Sequence, residues 1–368
     1  MKILMLNYEF PPLGGGGGCV TKTLAEELVK LGHEVDVVTM DFKGLKRREK
    51  VNGVNIYRIP SIRKDLNVSQ PHEMFSYCIS AYIFLKKMLR EKDYDINHTH
   101  FIIPTGVVSY FNTKKIPYII TSHGSDVPMY NPDRFTLQHK LLNPLWRKVI
   151  KSAEYVVTPT HYLKDLILKS CNYDRIKVIP NCIDHENFIP KNKERKVLVV
   201  SRLLKRKGIQ YVIEAMKVIQ DYELIVCGDG PYKRQLQKQI NELNVKNIHL
   251  LGYVSEERLK YEYETSSIFV LPSSAENFPI VLLEAMSSGC AIITANTTGC
   301  PEVVGDTALL VRAHNTNDIK KSLLTLINDE NLIKRLGENA RQRVIDNFSS
   351  EHVAKLYLDV YEEFCNNY

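Results

Sequence analysis

The chain has 368 residues, of which 44% are hydrophobic and 25% charged, and 49 basic residues outweigh 42 acidic ones for a formal net charge of +7. This is the composition of an ordinary soluble globular protein, and the length is too great for one comfortable core, so two domains are predicted. The basic excess is modest and scattered over three runs read as loops, 43–50, 191–196 and 205–207, whereas a nucleic-acid protein would show one basic face with interleaved aromatics.

MKILMLNYEF is too short and too soon polar for a signal peptide, and it reads as a first strand, Lys2–Leu6. A glycine run, Gly14 to Gly18, leads into a helix over 20–31 that Gly32 stops, and strand 34–40 follows. Strand 55–59, a helix from about 72 to 91, strands 95–98 and 118–121, and helix 135–151 come next. Strand 155–158, helix 161–170 and strand 177–179 close the first half. Residues 190–196 read as a polar linker, and a fresh series begins: strand 197–200, helix 209–220, strand 223–227, helix 232–241, strand 247–250 and helix 256–265. Strand 268–271, a helix from Pro279 to Met286 and strand 291–294 follow, and the remainder is helical, ending in 350–364. Alternating strands and helices predict parallel sheets in two doubly wound domains, with ligands at the carboxyl ends of strands. No window approaches the roughly 18 apolar residues of a membrane span. Eight cysteines without a C-x-x-C pair argue against a disulfide framework or zinc site and for a reducing compartment, hence the cytoplasm.

The chemistry concentrates in ENFPIVLLEAMSSG, 276–289. Pro279 suits a first helical turn, and the helix after it is apolar nearly all round, which predicts burial. Yet Glu284 sits in its middle and Glu276 at its entrance, and a buried carboxylate needs a partner. The plain alternative is a Lys or Arg beside Glu284 and solvent around Glu276. The functional reading is a polar ligand along the helix start, with the N–H groups of Asn277, Phe278 and Ile280 facing an anion. Were the intervening segment helical, the carboxylates would lie about 12 Å apart, suiting a sugar and a ribose with a diphosphate between.

Further candidates sit after strands. The glycine run fits neither G-x-G-x-x-G nor the P-loop pattern, which weakens nicotinamide and P-loop readings. Its backbone N–H groups can nonetheless cradle an anion. His123, in TSHGSD, is placed for a ligand, with a hydrogen-bonded core histidine as the alternative. His98 and His100 share a strand face but lack a third metal ligand, and Asp93-Tyr94-Asp95 reads as solvated charge. No metal is therefore expected. Arg202 and Lys207, in SRLLKRKG, can neutralise a diphosphate, and Gly228 and Gly230 let a nucleotide approach the backbone, although a tight turn explains those glycines as well.

The E-x7-E pattern, S-R-x4-K-G and the glycine loop, in that set, resemble the family-4 retaining glycosyltransferases of GT-B fold, and the resemblance covers nearly the whole chain. It implies two Rossmann-like domains facing across a cleft, residues 1–190 on the acceptor side and 191–347 on the donor side, with a terminal helix, 348–368, crossing back to the first. It implies a metal-independent, retaining transfer from a UDP- or GDP-linked sugar, with no further cofactor, to a hydroxyl on a glycan, lipid-linked or small-molecule acceptor. By resemblance Glu284 holds the ribose, Glu276 the donor sugar, and Arg202 and Lys207 the leaving diphosphate. His123 would contact the transferred sugar, and Gly15, Gly16 and Gly17 would face the donor phosphate and acceptor. Departures from the family pattern are Thr298 and Cys182, where glycines are usual, and Asn277 and Pro279 after the first Glu. No pair of carboxylates independently placed for a double displacement is evident. A nucleotide-sugar epimerase of the same architecture, a dehydrogenase using Asp41, and a non-catalytic sugar-nucleotide-binding subunit are the competing readings. Peripheral contact with an anionic membrane on the cytoplasmic side is left open by the aromatic and basic stretch 74–90.

Overall fold

The computed structural model describes residues 1–66, 68–130 and 136–365. The chain divides into two compact units, Met1–Cys182 with the segment from Ser350 onward, and Ile183–Ser349.

In the first unit the order is β1 (Lys2–Leu6), α1 (Gly16–Lys30), β2 (Glu34–Met40), β3 (Arg48–Val51), β4 (Val54–Ile59), α2 (Pro71–Glu91) and β5 (Ile96–His100). Then come α3 (Thr105–Asn112), β6 (Tyr118–Thr121), α4 (Thr136–Ser152), β7 (Tyr155–Thr158), α5 (His161–Ser170) and β8 (Ile176–Val178). Among the described residues these strands form one sheet, ordered β3-β4-β2-β1-β5-β6-β7-β8. It is parallel throughout except for β3 on β4. The inner strands are short apolar runs such as KILML because a parallel sheet is covered on both faces. Helix α2 starts where Pro71 needs no N–H partner and Glu73 accepts a bond from Gln70 N at 2.7 Å.

The second unit runs β9 (Glu194–Val200), α6 (Ile209–Met216), β10 (Glu223–Cys227), α7 (Lys233–Leu243), β11 (Ile248–Gly252), α8 (Glu256–Thr265) and β12 (Ser266–Leu271). It continues with α9 (Ile280–Ser287), β13 (Ala291–Ala295), α10 (Cys300–Val304), β14 (Ala308–Val311), α11 (Thr316–Ile327) and α12 (Glu330–Phe348). Its described strands make a parallel sheet ordered β11-β10-β9-β12-β13-β14. The last helix, α13 (Ser350–Cys365), belongs to the first unit, where Val353, Ala354, Tyr357, Val360, Tyr361 and Phe364 join a core with Ile3, Leu24 and Ile119.

Several local expectations are corrected. Helix α1 starts at Gly16, inside the glycine run, with Gly18 N bonding Gly15 O at 3.0 Å, so only Gly14 and Gly15 remain outside it. The linker ends early, since Glu194–Lys196 already pair in β9. Nor do the other basic runs lie wholly in loops: Arg48–Lys50 belong to β3, and Lys205–Lys207 form a 3₁₀ turn. The expected start of α4 at Phe135 lies outside the described residues. Among the described residues no helix is long and apolar enough to cross a membrane.

Candidate active site

In the second unit, the loop after β9 is fastened residue by residue to the loop between β12 and α9. Gly208 has φ +76°, and a side chain there would meet Pro272 O at 2.7 Å, closer than any real Cβ contact. Arg206 donates from Nη1 to Ala275 O at 3.1 Å and accepts Ser274 N at its own carbonyl. Lys207 Nζ closes directly on Glu276 Oε1, and both side chains are largely buried. Glu276 is therefore not a solvated loop residue. Arg202, by contrast, is exposed, and its guanidinium has no ion pair among the described residues. Two of the four expected charged groups are thus joined, while a third stands free at the end of the same strand.

Glu284, on α9, meets neither Lys nor Arg. Its Oε2 accepts the hydroxyl of buried Tyr263, on α8, at 2.6 Å. Burial pushes its carboxyl above the usual range, and the tyrosine bond pulls against that shift. Residues 276–279 precede the first helical residue, Ile280, so the helical premise behind a 12 Å carboxylate spacing does not hold. Pro279 is the cap, with φ −74° and ψ 116°. Phe278 is a core residue, packed edge-on against Phe348 with centroids 5.4 Å apart, and Asn277 is buried beside it. Any part these two play toward a ligand falls to the backbone.

Gly228 and Gly230 have a cause inside the protein. A Cβ on Gly228 would lie 2.0 Å from Ser201 O, and one on Gly230 2.5 Å from Leu203 O. Leu203 N bonds Asp229 O at 3.0 Å, and Tyr232 N bonds Leu203 O at 3.0 Å. These glycines let two strand-end loops touch, which holds the Arg202 segment in place.

Thr298, noted in the sequence only as a departure from a usual glycine, has a role that the sequence did not show. Its hydroxyl accepts Glu276 N at 2.9 Å and donates to Glu276 O at 2.5 Å, and Gly299 N reaches the same carbonyl at 3.0 Å. Thr298 has φ +50°, a backbone form that glycine adopts freely and a β-branched residue resists. The strain is offset by two hydrogen bonds that a glycine could not make.

In the first unit, Gly17 faces His123: a Cβ there would sit 3.3 Å from His123 Cγ and 2.8 Å from Phe101 Cζ. Gly15 N bonds Glu9 Oε2 at 3.3 Å, and a Cβ on Gly15 would meet nothing within 4 Å. Buried Asp126 holds the His123 loop, its carboxylate accepting His123 N at 3.2 Å, Gly124 N at 2.9 Å and Ile102 N at 2.8 Å. His123 Nε2 lies 3.1 Å from His100 Nδ1, and the rings stack. His98 spends both nitrogens inside the fold, Nδ1 on Tyr361 Oη at 2.6 Å and Nε2 on Thr121 Oγ1 at 2.8 Å. Burial lowers all three imidazoles, His98 to about 3 and His123 to about 4. The chain 98-100-123 is a neutral stack, and among the described residues no cluster of three His, Cys, Asp or Glu has metal-binding form.

The sequence model for glycosyl transferases group 1 matches residues 183–343, and that for Glycosyltransferase Family 4 matches residues 14–187. The chain belongs to these glycosyltransferases. N-acetyl-alpha-D-glucosaminyl L-malate synthase of Bacillus anthracis is 28% identical over 376 residues, covering 95% of this chain and 94% of that protein. Among solved structures, sucrose-phosphate synthase from Thermosynechococcus elongatus superposes with a TM-score of 0.86 at 21% identity, covering both chains completely. Anabaena HepE, solved in complex with UDP-glucose, gives 0.78 at 17% identity, over 99% of this chain and 100% of that one. At such identities the likeness establishes the GT-B fold, with its two Rossmann-like α/β domains. The group 1 model ends at residue 343, before the C-terminus of α12, and thus spans most of the unit that carries Arg202, Lys207, Glu276 and Glu284. In this glycosyltransferase Thr298 was legible only as a departure from a usual glycine and Asp126 as the end of the TSHGSD motif, while nothing singled out Tyr263. Their partners lie 22, 21 and 24 residues away in sequence for Thr298, Tyr263 and Asp126, in loops for Thr298 and Asp126 and on the next helix for Tyr263.

Proposed function

We propose that this glycosyltransferase moves a sugar from a nucleoside-diphosphate donor to a hydroxyl acceptor with retention of configuration and without a metal ion. The observation that carries the reading is the fastening of Lys207 onto Glu276 at the entrance of α9, with Arg202 unpaired on the same loop and Glu284 further along the helix. In this reading Glu284 takes the ribose hydroxyls; its second carboxylate oxygen has no partner among the described residues. Glu276 and the N–H groups of Asn277, Phe278 and Ile280 take the donor sugar. Arg202, a planar fork with five N–H donors, and Lys207 neutralise the charge that grows on the departing diphosphate, the work a metal does in other transferases. Donor binding then exchanges part of the Lys207–Glu276 contact for contacts to phosphate and sugar. No cofactor beyond the nucleotide sugar is needed, and the donor is UDP- or GDP-linked. In this reading the first unit offers substrate His123 as a neutral imidazole and the N–H groups of Gly16 and Gly17, with Gly15, whose N–H is held by Glu9, allowing close approach.

Thermal-shift titration with UDP-, GDP- and ADP-sugars identifies the donor, because a ligand of the native state raises its melting point. Lys207→Ala should lower turnover far more than it weakens donor binding. Unchanged turnover would remove Lys207 from the mechanism, and loss of activity on adding EDTA would reject metal independence. Product analysis in the absence of acceptor separates transfer from epimerisation.

A further inference from the structure

The first unit holds a part-open cavity of about 260 Å³ that the proposed chemistry does not use. Its walls come from α2, α3 and α4, with Cys78, Val107, Leu145 and Trp146 among the apolar side chains, and Ser125 and Asp126 mark its polar end. The indole N–H of Trp146 is already given to Asp126 O at 2.8 Å, so only the ring's apolar body faces the space. A volume well above the ~150 Å³ that admits benzene, lined this way, favours an apolar ligand over water. The polar end is chemically significant: Asp126, which lines it, also holds the backbone of His123 and Gly124 through its carboxylate.

The surface beside the cavity is unusual. On α2 the inner face is Tyr77, Ala81 and Leu85, fully buried. The outer face repeats apolar residues at four-residue spacing: Phe75 is 67% exposed, Ile79 48% and Ile83 65%. On α4, Leu137 and Leu141 are 65% and 70% exposed. Exposed apolar side chains on two helices that both pack against α3 and line one cavity mark an interaction face. Cations outnumber acids around them: Lys86, Lys87 and Arg90 lie in the last turns of α2, where Glu91 pairs with Lys87, and exposed Lys140, Arg147, Lys148 and Lys151 lie on α4, which carries no acidic residue. An apolar stripe flanked by Lys and Arg is complementary to a bilayer that bears negative headgroups.

We propose that this cavity takes the apolar chain of an amphiphilic acceptor, drawn from an anionic bilayer against which the outer faces of α2 and α4 rest. The chain's polar head is thereby brought to the strand ends where His123 stands. Calling the ligand an acceptor rests on the transferase reading; the binding itself does not.

The test uses the full chain with phosphatidylcholine vesicles, with and without phosphatidylglycerol, and a second anionic set with brominated acyl chains. Trp146 is the only tryptophan in the sequence, so quenching by bromine reports a chain in contact with the cavity wall. The protein should float with anionic vesicles and not with neutral ones. Phe75→Ser, Ile79→Ser and Ile83→Ser should each weaken partitioning on the order of tenfold, the factor expected for one apolar side chain withdrawn from a membrane. Ile79 and Ile83 lie outside the cavity, so their variants probe the surface alone, whereas Phe75 also lines the cavity mouth. Brominated chains should quench Trp146, and Val107→Phe, which fills the cavity, should abolish quenching while flotation persists. Equal flotation with neutral vesicles, anionic binding without quenching, or quenching that survives Val107→Phe would each overturn the proposal. Donor thermal shifts are measured without lipid. A normal donor shift without quenching therefore removes only this inference, and quenching without a donor shift removes only the transferase reading.

Discussion

Replacing Thr298 by valine keeps the shape and the left-handed backbone but deletes the hydroxyl that grips Glu276 on both sides. Two hydrogen bonds at about 0.5–1.5 kcal/mol each place the expected loss at about 1–3 kcal/mol. In a unit of the size of Ile183–Ser349 that corresponds to a melting temperature lower by roughly 2–12 °C. Serine retains the hydroxyl without the β-branch and should match or exceed the native protein. Glycine loses both bonds yet relieves roughly 1–2 kcal/mol of left-handed strain, so it should fall between serine and valine. Thermal unfolding followed by circular dichroism gives the order, and donor titration shows whether the freed Glu276 backbone also weakens binding. If valine and serine proved equally stable, the hydroxyl would have no part in holding Glu276.

Other outcomes follow from the same contacts. Lys207→Ala and Glu276→Ala should each destabilise by on the order of 3 kcal/mol, because each leaves a largely buried charge alone; the double variant should cost less than their sum, as a double-mutant cycle on thermal stability would register. Glu284→Gln should raise the melting temperature at pH 7: the folded carboxyl is raised, so ionising it costs stability above that raised value, and the gain should vanish near pH 4, where the native side chain is already protonated. The buried histidines act in the opposite sense. With His98 at about 3 and His123 at about 4 against 6.5 when unfolded, the unfolded chain binds protons first, and stability should fall as pH drops below about 6.5; His98→Gln should flatten that slope in pH-dependent melting.

The buried strands were legible because a parallel sheet demands short apolar runs, and the glycines before and after them because only glycine tolerates such close backbone contact. The four charged groups were legible, but the pairing of Lys207 with Glu276 was not: the sequence reading placed a possible Lys or Arg beside Glu284 instead. The hydrogen-bonded partner of Glu284 was not legible either, since Tyr263 lies on the preceding helix and nothing local marks it. Helix α3 escaped notice for lack of an N-cap side chain, and β14 because four residues, ALLV, carry too little periodicity. The start of α1 within a glycine run ran against propensity; there the first turn is set by tertiary contacts around Gly17 and Gly18.

The placement of α13 has a bearing on biosynthesis. Six of its side chains fill the interior built around Ile3 and Leu24, yet they are translated after the entire second unit. At about 5–20 residues per second, the ribosome takes on the order of ten to thirty seconds to cross Ile183–Ser349. For that interval the amino-terminal half waits with a greasy seam open, so a premature stop before Ser350 yields a polypeptide destined for chaperones or proteolysis, whatever the state of its second unit.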